Sequence, residues 1–368
     1  MRHSHPASEQ GPLAIGERLC DLAFLDPEGR PFSLYANHIF GWPKAVLAIG
    51  AAEAEAEALA RIDGLVRDFG QAETHVLAIA RSGPAENAAV AARLRLSFPL
   101  LSDPEGALHR AAGLAGEGDA CILLLDPLLR LEGRFDGAGG AAGAEAALGQ
   151  ARARAKTFQP MIVGAQAPVL VVPNVLDRDL CRRLMAAWEE GERQDDMVAA
   201  RGDGTQTANP KSKIRSDLVL PEDAPLAAEV AGAIGRRLLP EVDKALNFRV
   251  TRMERFRIGC YDAAASGFFA PHRDNTTAKT AHRRYALTLN LNTGAYEGGF
   301  LRLPEYGPQL YAPPAGGAAV FSCSLLHLVA PVTKGRRFAL IGFFWSEAEQ
   351  PIYDRNHGEK APDAPLTE

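Results

Sequence analysis

Three side chains in the second half of the chain have the types and spacing to hold a metal ion: His272 and Asp274, two residues apart, and His327 further on. An i, i+2 pair puts imidazole and carboxylate on the same side of an extended backbone. A histidine from a later strand then completes one face of an octahedral metal, the two-His, one-carboxylate set that suits Fe(II) and leaves three positions open for chemistry. Ten residues after His327 stands Arg337, whose planar guanidinium can hold a carboxylate through two parallel hydrogen bonds. His357-Gly358-Glu359 repeats the H-x-[DE] triplet, but it lies in a polar tail with no later histidine to join it. Taken alone, each histidine is more at home in a plainer role, His272 with Asp274 in a hydrogen-bonded surface turn and His327 as a satisfied core histidine. The weight falls on four features arriving in order.

The elements that must position them are strands. From Arg252 onward closely spaced β segments, Phe256 to Tyr261, Tyr285 to Asn292, Gly299 to Leu303, Ala318 to Ser322 and Phe338 to Trp345, are separated by Gly, Pro and Asn turns. That texture predicts a β-sandwich or jelly roll. Upstream, Pro168 to Val172 reads as an entry strand. A helix follows, with Asp177 as N-cap, Leu180, Cys181, Leu184, Met185 and Trp188 as its apolar face, and Gly191 at its end. A polar stretch from about Gln194 to Ser212 reads as a long loop.

The segments YDAAASGFFAPHRD (Tyr261 to Asp274), RYALTLNLN (Arg284 to Asn292), EGGFLRL (Glu297 to Leu303) and LHLVAPVTKGRRFA (Leu326 to Ala339) together resemble the prolyl 4-hydroxylase-like class of Fe(II)/2-oxoglutarate-dependent dioxygenases, over roughly Ala167 to Ser346. The resemblance implies a double-stranded β-helix that holds Fe(II) through His272, Asp274 and His327. It implies 2-oxoglutarate and O2 as cosubstrates, with ascorbate admitted as an accessory, and hydroxylation of an unactivated C–H bond with release of succinate and CO2. The distal carboxylate of 2-oxoglutarate would be held by Arg337, with Arg336 and Lys334 as alternatives. Strand alternation favours Arg337, placing it with Ala339 and Ile341 and opposite Arg336 and Phe338. Halogenating relatives carry a small residue at the place of Asp274, so its carboxylate favours hydroxylation. Tyr261 matches a tyrosine that lies beside the cosubstrate in relatives, within a one-residue slip. Asn290 falls where several relatives have a tyrosine on the distal carboxylate, a departure for which Thr288 or Tyr285 could compensate. Gly298-Gly299 is open between a close approach and a tight turn. Arg283, Arg284 and Arg302 read as solvated strand-edge charges rather than substrate contacts.

The first half has a different texture. Val46 to Ile49, Val76 to Ile79 and Cys121 to Leu125 are short continuous apolar runs, and between them lie two helices, one striped by Leu59, Ile62, Val66 and Phe69, the other from about Glu86 to Leu96. The alternation predicts a mainly parallel α/β sheet. The Gly- and Ala-rich stretch Gly137 to Ala155 is open between a docking helix and a flexible connector. DLAFLDPEGRPFSL (Asp21 to Leu34), FPLLSDPEGALHRAAGL (Phe98 to Leu114) and LLLDPLLRLEG (Leu123 to Gly133) resemble the peroxiredoxin branch of the thioredoxin fold. In that branch a low-pKa thiolate follows the strand equivalent to Val46 to Ile49. Here the place reads Gly50-Ala51-Ala52-Glu53-Ala54, so a redox-inactive thioredoxin-like domain is expected.

The domain reading is therefore a mobile start at 1–11, a peroxiredoxin-like domain at 12–155, a linker at 156–166, the dioxygenase domain at 167–350 and a tail at 351–368. A chain of 368 residues with 47% apolar and 23% charged residues suits two globular cores. The net charge of −5 and the lack of a Lys/Arg run disfavour nucleic acid. No apolar stretch approaches a membrane span, and MRHSHPASEQGP lacks the apolar core of a signal peptide, so the expected location is cytoplasmic. Five scattered cysteines without a C-x-x-C pair read as reduced, mostly buried thiols, Cys20 and Cys121 among them. The substrate is left open among a prolyl or other residue of a peptide, a free amino acid and a small metabolite. Homodimerisation through the first domain is also left open. The competing classes are a non-catalytic metal- or oxygen-responsive binding module and a peroxidase using a displaced cysteine.

Overall fold

The computed structural model describes residues 12–357 apart from 36–38, 40, 115, 117–118, 138–140, 158 and 200–205. The segment 1–11 and the end of the tail lie outside the described residues. The chain divides into two compact units, residues 1–161 and 162–368. Among the described residues no helix is long and apolar enough to cross a membrane.

The first unit is built on a seven-stranded sheet in the order Pro31–Ser33, Ala23–Leu25, Leu100–Ser102, His75–Ala80, Lys44–Ile49, Cys121–Leu125, Leu131–Asp136. All six residues of Lys44–Ile49 are buried. Ala45, Leu47 and Ile49 face a layer containing helices Ala56–Gln71 and Ala141–Thr157, while Val46 and Ala48 face a second layer with Leu19, Phe24 and Leu108. A strand covered on both faces has no use for polar alternation, which is why these runs are continuously apolar. The sheet is mixed rather than mainly parallel: Lys44–Ile49 runs parallel to His75–Ala80, and that strand parallel to Leu100–Ser102, but the other neighbours are antiparallel. The reason is local, since Cys121–Leu125 and Leu131–Asp136 form a hairpin against one side of the parallel core. This is an α/β thioredoxin-like arrangement. The Gly/Ala-rich stretch resolves as the helix Ala141–Thr157, docked through Ala144, Ala147, Leu148 and Ala151.

The second unit is a double-stranded β-helix of two antiparallel sheets with flanking helices. The larger sheet runs Leu170–Val172, Ala318–Ser322, Tyr285–Asn290, Arg336–Trp345, Arg257–Asp262, Ser216–Val219, Gln194–Asp195, with Arg252–Met253 also pairing Arg336–Trp345. The smaller runs Lys213–Ile214, Phe268–His272, His327–Val329, Leu301–Arg302, Leu310–Tyr311. Alternation along Arg336–Trp345 sorts the faces: Phe338, Leu340 and Phe344 join the core with helices Arg178–Glu190, Pro225–Arg237 and Leu239–Leu246, whereas Phe343 joins the opposite core with Leu301 and Phe321. Asp177 caps the first of these helices by accepting from the Leu180 N–H at 2.8 Å. Three features differ from the sequence reading. The helices Pro225–Arg237 and Leu239–Leu246 fill a segment assigned no element, the polar stretch after Gln194 carries short strands, and residues read as tail form the helix Gln350–His357. Tyr353 anchors that last helix by stacking on Trp345 with ring centroids 5.3 Å apart.

Candidate metal centre

The smaller sheet sets His272 directly opposite His327, because Phe268–His272 and His327–Val329 pair antiparallel with these two residues in register. Asp274 follows in the turn, its backbone N–H donating to the Cys323 carbonyl at 3.0 Å. His272 Nε2 lies 3.5 Å from one Asp274 oxygen and His327 Nε2 3.3 Å from the other. The three donor atoms all lie within 4.8 Å of one another, the one such group among the described residues. Each imidazole has its other nitrogen against a backbone carbonyl, Nδ1 of His272 at 2.8 Å from Ala270 O and Nδ1 of His327 at 3.0 Å from Leu325 O. A carbonyl only accepts, so each Nδ1 carries the hydrogen and each Nε2 presents its lone pair to the common centre. The donor set therefore fits a divalent metal in charge, tautomer and convergence.

Electrostatics agree. Burial by itself would raise the Asp274 carboxyl, but His327 and His272 beside it, with Arg283 behind, hold it down at about 2. Burial lowers the pKa of His327, favouring the neutral imidazole that ligates. Arg283 is not a solvated edge charge. Its guanidinium is bidentate on Glu254 (2.6 and 2.8 Å), lies 3.7 Å from the Phe343 ring centroid, and donates to the Asp274 carbonyl at 3.3 Å. Arg284 instead pairs with Glu349 at 2.9 Å.

A second group of predicted residues meets on the larger sheet. Arg337 is only 2% exposed, and Tyr261 is its cross-strand neighbour, with the guanidinium carbon 5.1 Å from the tyrosine ring centroid. Arg337 Nη2 donates to Asn290 Oδ1 at 2.9 Å and to Thr288 Oγ1 at 3.3 Å, while its buried Nε has no hydrogen-bond partner among the described residues. The Asn290 amide nitrogen in turn donates to Pro313 O at 3.2 Å. Tyr285 stands on the opposite face, against Phe248. Arg336 pairs with Glu189 and Lys334 with Glu297, both at the surface. Gly299, at φ +64°, passes so close that a Cβ there would sit 2.9 Å from Arg337 Cδ, so this glycine is a close approach.

Sequence reasoning missed the alternating charges Lys213, Arg215 and Asp217, all buried. Their spacing, K-x-R-x-D, put three charges on one face of an extended segment and was the available signal. In the first unit no sulfur stands at Gly50 to Ala54, where Ala52 N donates to Ser82 Oγ at 3.0 Å and Glu53 pairs with Arg93. Cys20 is exposed, contrary to expectation, while Cys121 is buried and pushed up to about 11 by that burial.

The family described as the 2OG-Fe(II) oxygenase superfamily matches residues 256–345. A PKHD-type hydroxylase of Pseudomonas fluorescens is 31% identical over 191 residues, spanning 49% of this chain and 78% of the relative. The PKHD-type hydroxylase PiuC of Pseudomonas aeruginosa is 30% identical over the same length, with the same shares. Among solved structures, a Pseudomonas putida prolyl-4-hydroxylase is 21% identical with a TM-score of 0.39, covering 50% of this chain and 94% of that one. Peroxidoxin BcpB from Mycobacterium tuberculosis is 20% identical with a TM-score of 0.34, covering 38% and 97%.

Proposed function

Since the chain belongs to the 2OG-Fe(II) oxygenase superfamily, we propose that it hydroxylates an unactivated C–H bond of a prolyl or amino-acid-type substrate, using Fe(II), 2-oxoglutarate and O2. The observation that carries this reading is the convergence of two Nε2 lone pairs and one carboxylate, with both Nδ1 hydrogens tied to backbone. His272, Asp274 and His327 would hold the metal. Bound Fe(II) supplies oxygen activation coupled to decarboxylation of 2-oxoglutarate to succinate.

The remaining work falls to the chain's own residues. Arg337 would hold the distal carboxylate through its free Nε and a terminal nitrogen, a bidentate geometry that fixes direction as well as charge. Asn290 and Thr288 then act on Arg337, filling its Nη2 so that the remaining donors face the cosubstrate. This gives Asn290 a positioning role in place of direct contact. Tyr261, walled in by Arg337, would pack along the cosubstrate chain and exclude water. Arg283, anchored by Glu254, steadies the backbone of Asp274.

The proposed boundaries are 12–155 for the thioredoxin-like domain and 167–350 for the catalytic domain, with a cytoplasmic setting and ascorbate as accessory reductant. The first domain, lacking the thiolate, would serve in docking or homodimerisation, which light scattering of the full chain tests by its mass. The direct test of the function is Fe(II)-dependent release of succinate from 2-oxoglutarate, with and without prolyl peptides and free amino acids. Stimulation by such a substrate with a gain of one oxygen in its mass supports the reading. Metal binding with no succinate release in any condition overturns it.

A further inference from the structure

Between Lys213 and Val219 the chain changes sheets: Lys213–Ile214 pairs with Phe268–His272 at the edge of the smaller sheet, and Ser216–Val219 pairs with Arg257–Asp262 in the larger. Lys213, Arg215 and Asp217 are all buried there, at 1%, 8% and 4% exposure. Lys213 Nζ donates to Asp217 Oδ2 at 2.9 Å, and Arg215 Nη2 donates to the same oxygen at 2.8 Å. Arg215 Nε also lies 2.5 Å from Asp217 Oδ1, so two buried cations share one carboxylate, while the nearby Arg257 has Glu254 at 3.9 Å. Lys213 has three N–H groups and, among the described residues, one acceptor. Its pKa is drawn down to about 8, first by burial and then by Arg215. Lys44 is equally buried, but its ammonium donates to the carbonyls of Ile39 and Trp42, both at 2.8 Å.

The surplus lies beside the candidate metal centre. Lys213 Nζ and the Arg215 guanidinium carbon are each 5.6 Å from the Phe269 ring centroid, and that ring stacks on His272 with centroids 3.6 Å apart. Arg215 Nη1 also donates to Tyr261 OH at 3.0 Å. Buried positive charge without a counter-charge is costly, and it is retained where a ligand brings the anion. The Arg337 donors and the metal account for the two carboxylates of 2-oxoglutarate. We infer that Lys213 and Arg215 form a subsite for a carboxylate of the compound to be hydroxylated. This rests on the function proposed above and narrows its substrate class to an acid.

The test uses the full chain and its Lys213→Met variant, with Lys213→Gln if the first does not fold. Thermal melts are run in sodium acetate and in sodium chloride at equal ionic strength. Acetate should raise the wild-type melting temperature by about 2–4 °C over chloride, and the variant should lose that difference. The variant should also keep the 2-oxoglutarate affinity of the anaerobic Fe(II) protein within about twofold, a result that also shows the cosubstrate site intact. The inference is overturned if wild type shows no acetate-specific shift, or if the variant keeps it. A tenfold weaker 2-oxoglutarate affinity in the variant would also overturn it, by assigning the subsite to the cosubstrate. Loss of 2-oxoglutarate binding in wild type would count against the proposed function instead.

Discussion

The buried polar cluster around Asn87 and His109 in the first unit and the metal-centre cluster in the second are satisfied differently. In the first, Asn87 donates to Leu101 O at 3.1 Å and Ser102 Oγ at 2.7 Å and accepts from Ser82 Oγ. His109 has one nitrogen on Asp103 and the other on the Ile49 carbonyl, and Asp103 also takes the N–H groups of Ala107 and Leu108. Every one of these groups finds its partner within the unit, and the segment Gly50 to Ala54, where the peroxiredoxin resemblance expects a thiolate, carries no cysteine. In the second unit, two imidazole lone pairs and a carboxylate face one another with no donor between them, and Arg337 leaves Nε unpartnered. A closed polar network holds a fold, whereas an open one holds a ligand.

The strongest way to break this contrast is to delete one member of each network. Asp274→Ala removes the only carboxylate of the metal set, and 2-oxoglutarate-dependent succinate release should fall by at least about 100-fold, since ligand loss exceeds the 10–100-fold effect of outer-shell changes. Asn87→Ala should leave release per folded molecule unchanged and cost about 1–3 kcal/mol of stability in denaturant melts, the penalty of orphaned buried partners. If Asn87→Ala abolished release while the protein stayed folded, the division between structural and ligand networks would be wrong.

A finer cut separates contact from positioning. Arg337→Met should weaken 2-oxoglutarate binding by about 10–100-fold, and Asn290→Leu by less, about 3–10-fold, because it frees the guanidinium without removing it. Equal losses, measured by titration of the anaerobic Fe(II) protein, would mean that Asn290 touches the cosubstrate itself.

The buried thiols sharpen the comparison through pH. Burial pushes Cys121 and Cys181 up to about 11 and Cys260 up to about 12. A pKa raised in the folded state favours the neutral thiol. Its contribution is therefore full below the ordinary value of 9.0 and is lost as pH rises through about 11. Melting temperature should begin to decline above pH 9 and continue down to pH 11, and mutating Cys121 and Cys181 to Ala should flatten that limb. The smallest effect concerns Cys20, the one exposed cysteine. Native protein at pH 8 should alkylate at that thiol alone, and Cys20→Ser should leave succinate release within about twofold.

What was legible in the sequence follows the same division. The meeting of His272, Asp274 and His327 could be read because two residues separate imidazole from carboxylate and the second histidine lies on a later strand, although Asp274 sits in the turn just past the strand rather than on it. Arg337 was sorted from Arg336 by its place just before Phe338-Ala339-Leu340 in the family resemblance, with strand alternation in support. The mixed sheet of the first unit was not legible, since an apolar run covered on both faces carries no direction. The helices Pro225–Arg237 and Leu239–Leu246 were missed although Val230, Ile234, Leu238 and Val242 repeat at four-residue steps, the spacing of one helical face. The Lys213 to Asp217 charges were assigned no role, because charge is usually solvated and the change of sheet that buries them at that point leaves no mark in the sequence. Arg283 was misread for the same reason, its partner Glu254 lying on a different segment.

The central claim is that the second unit binds Fe(II) and then chelates 2-oxoglutarate on it. The measurement is anaerobic addition of Fe(II) and then 2-oxoglutarate to the purified chain, followed by visible absorption, with His272→Ala alongside. A metal-to-ligand charge-transfer band that needs both additions and is absent from the variant is the predicted result. Metal bound by the wild type with no band on adding 2-oxoglutarate would contradict the account.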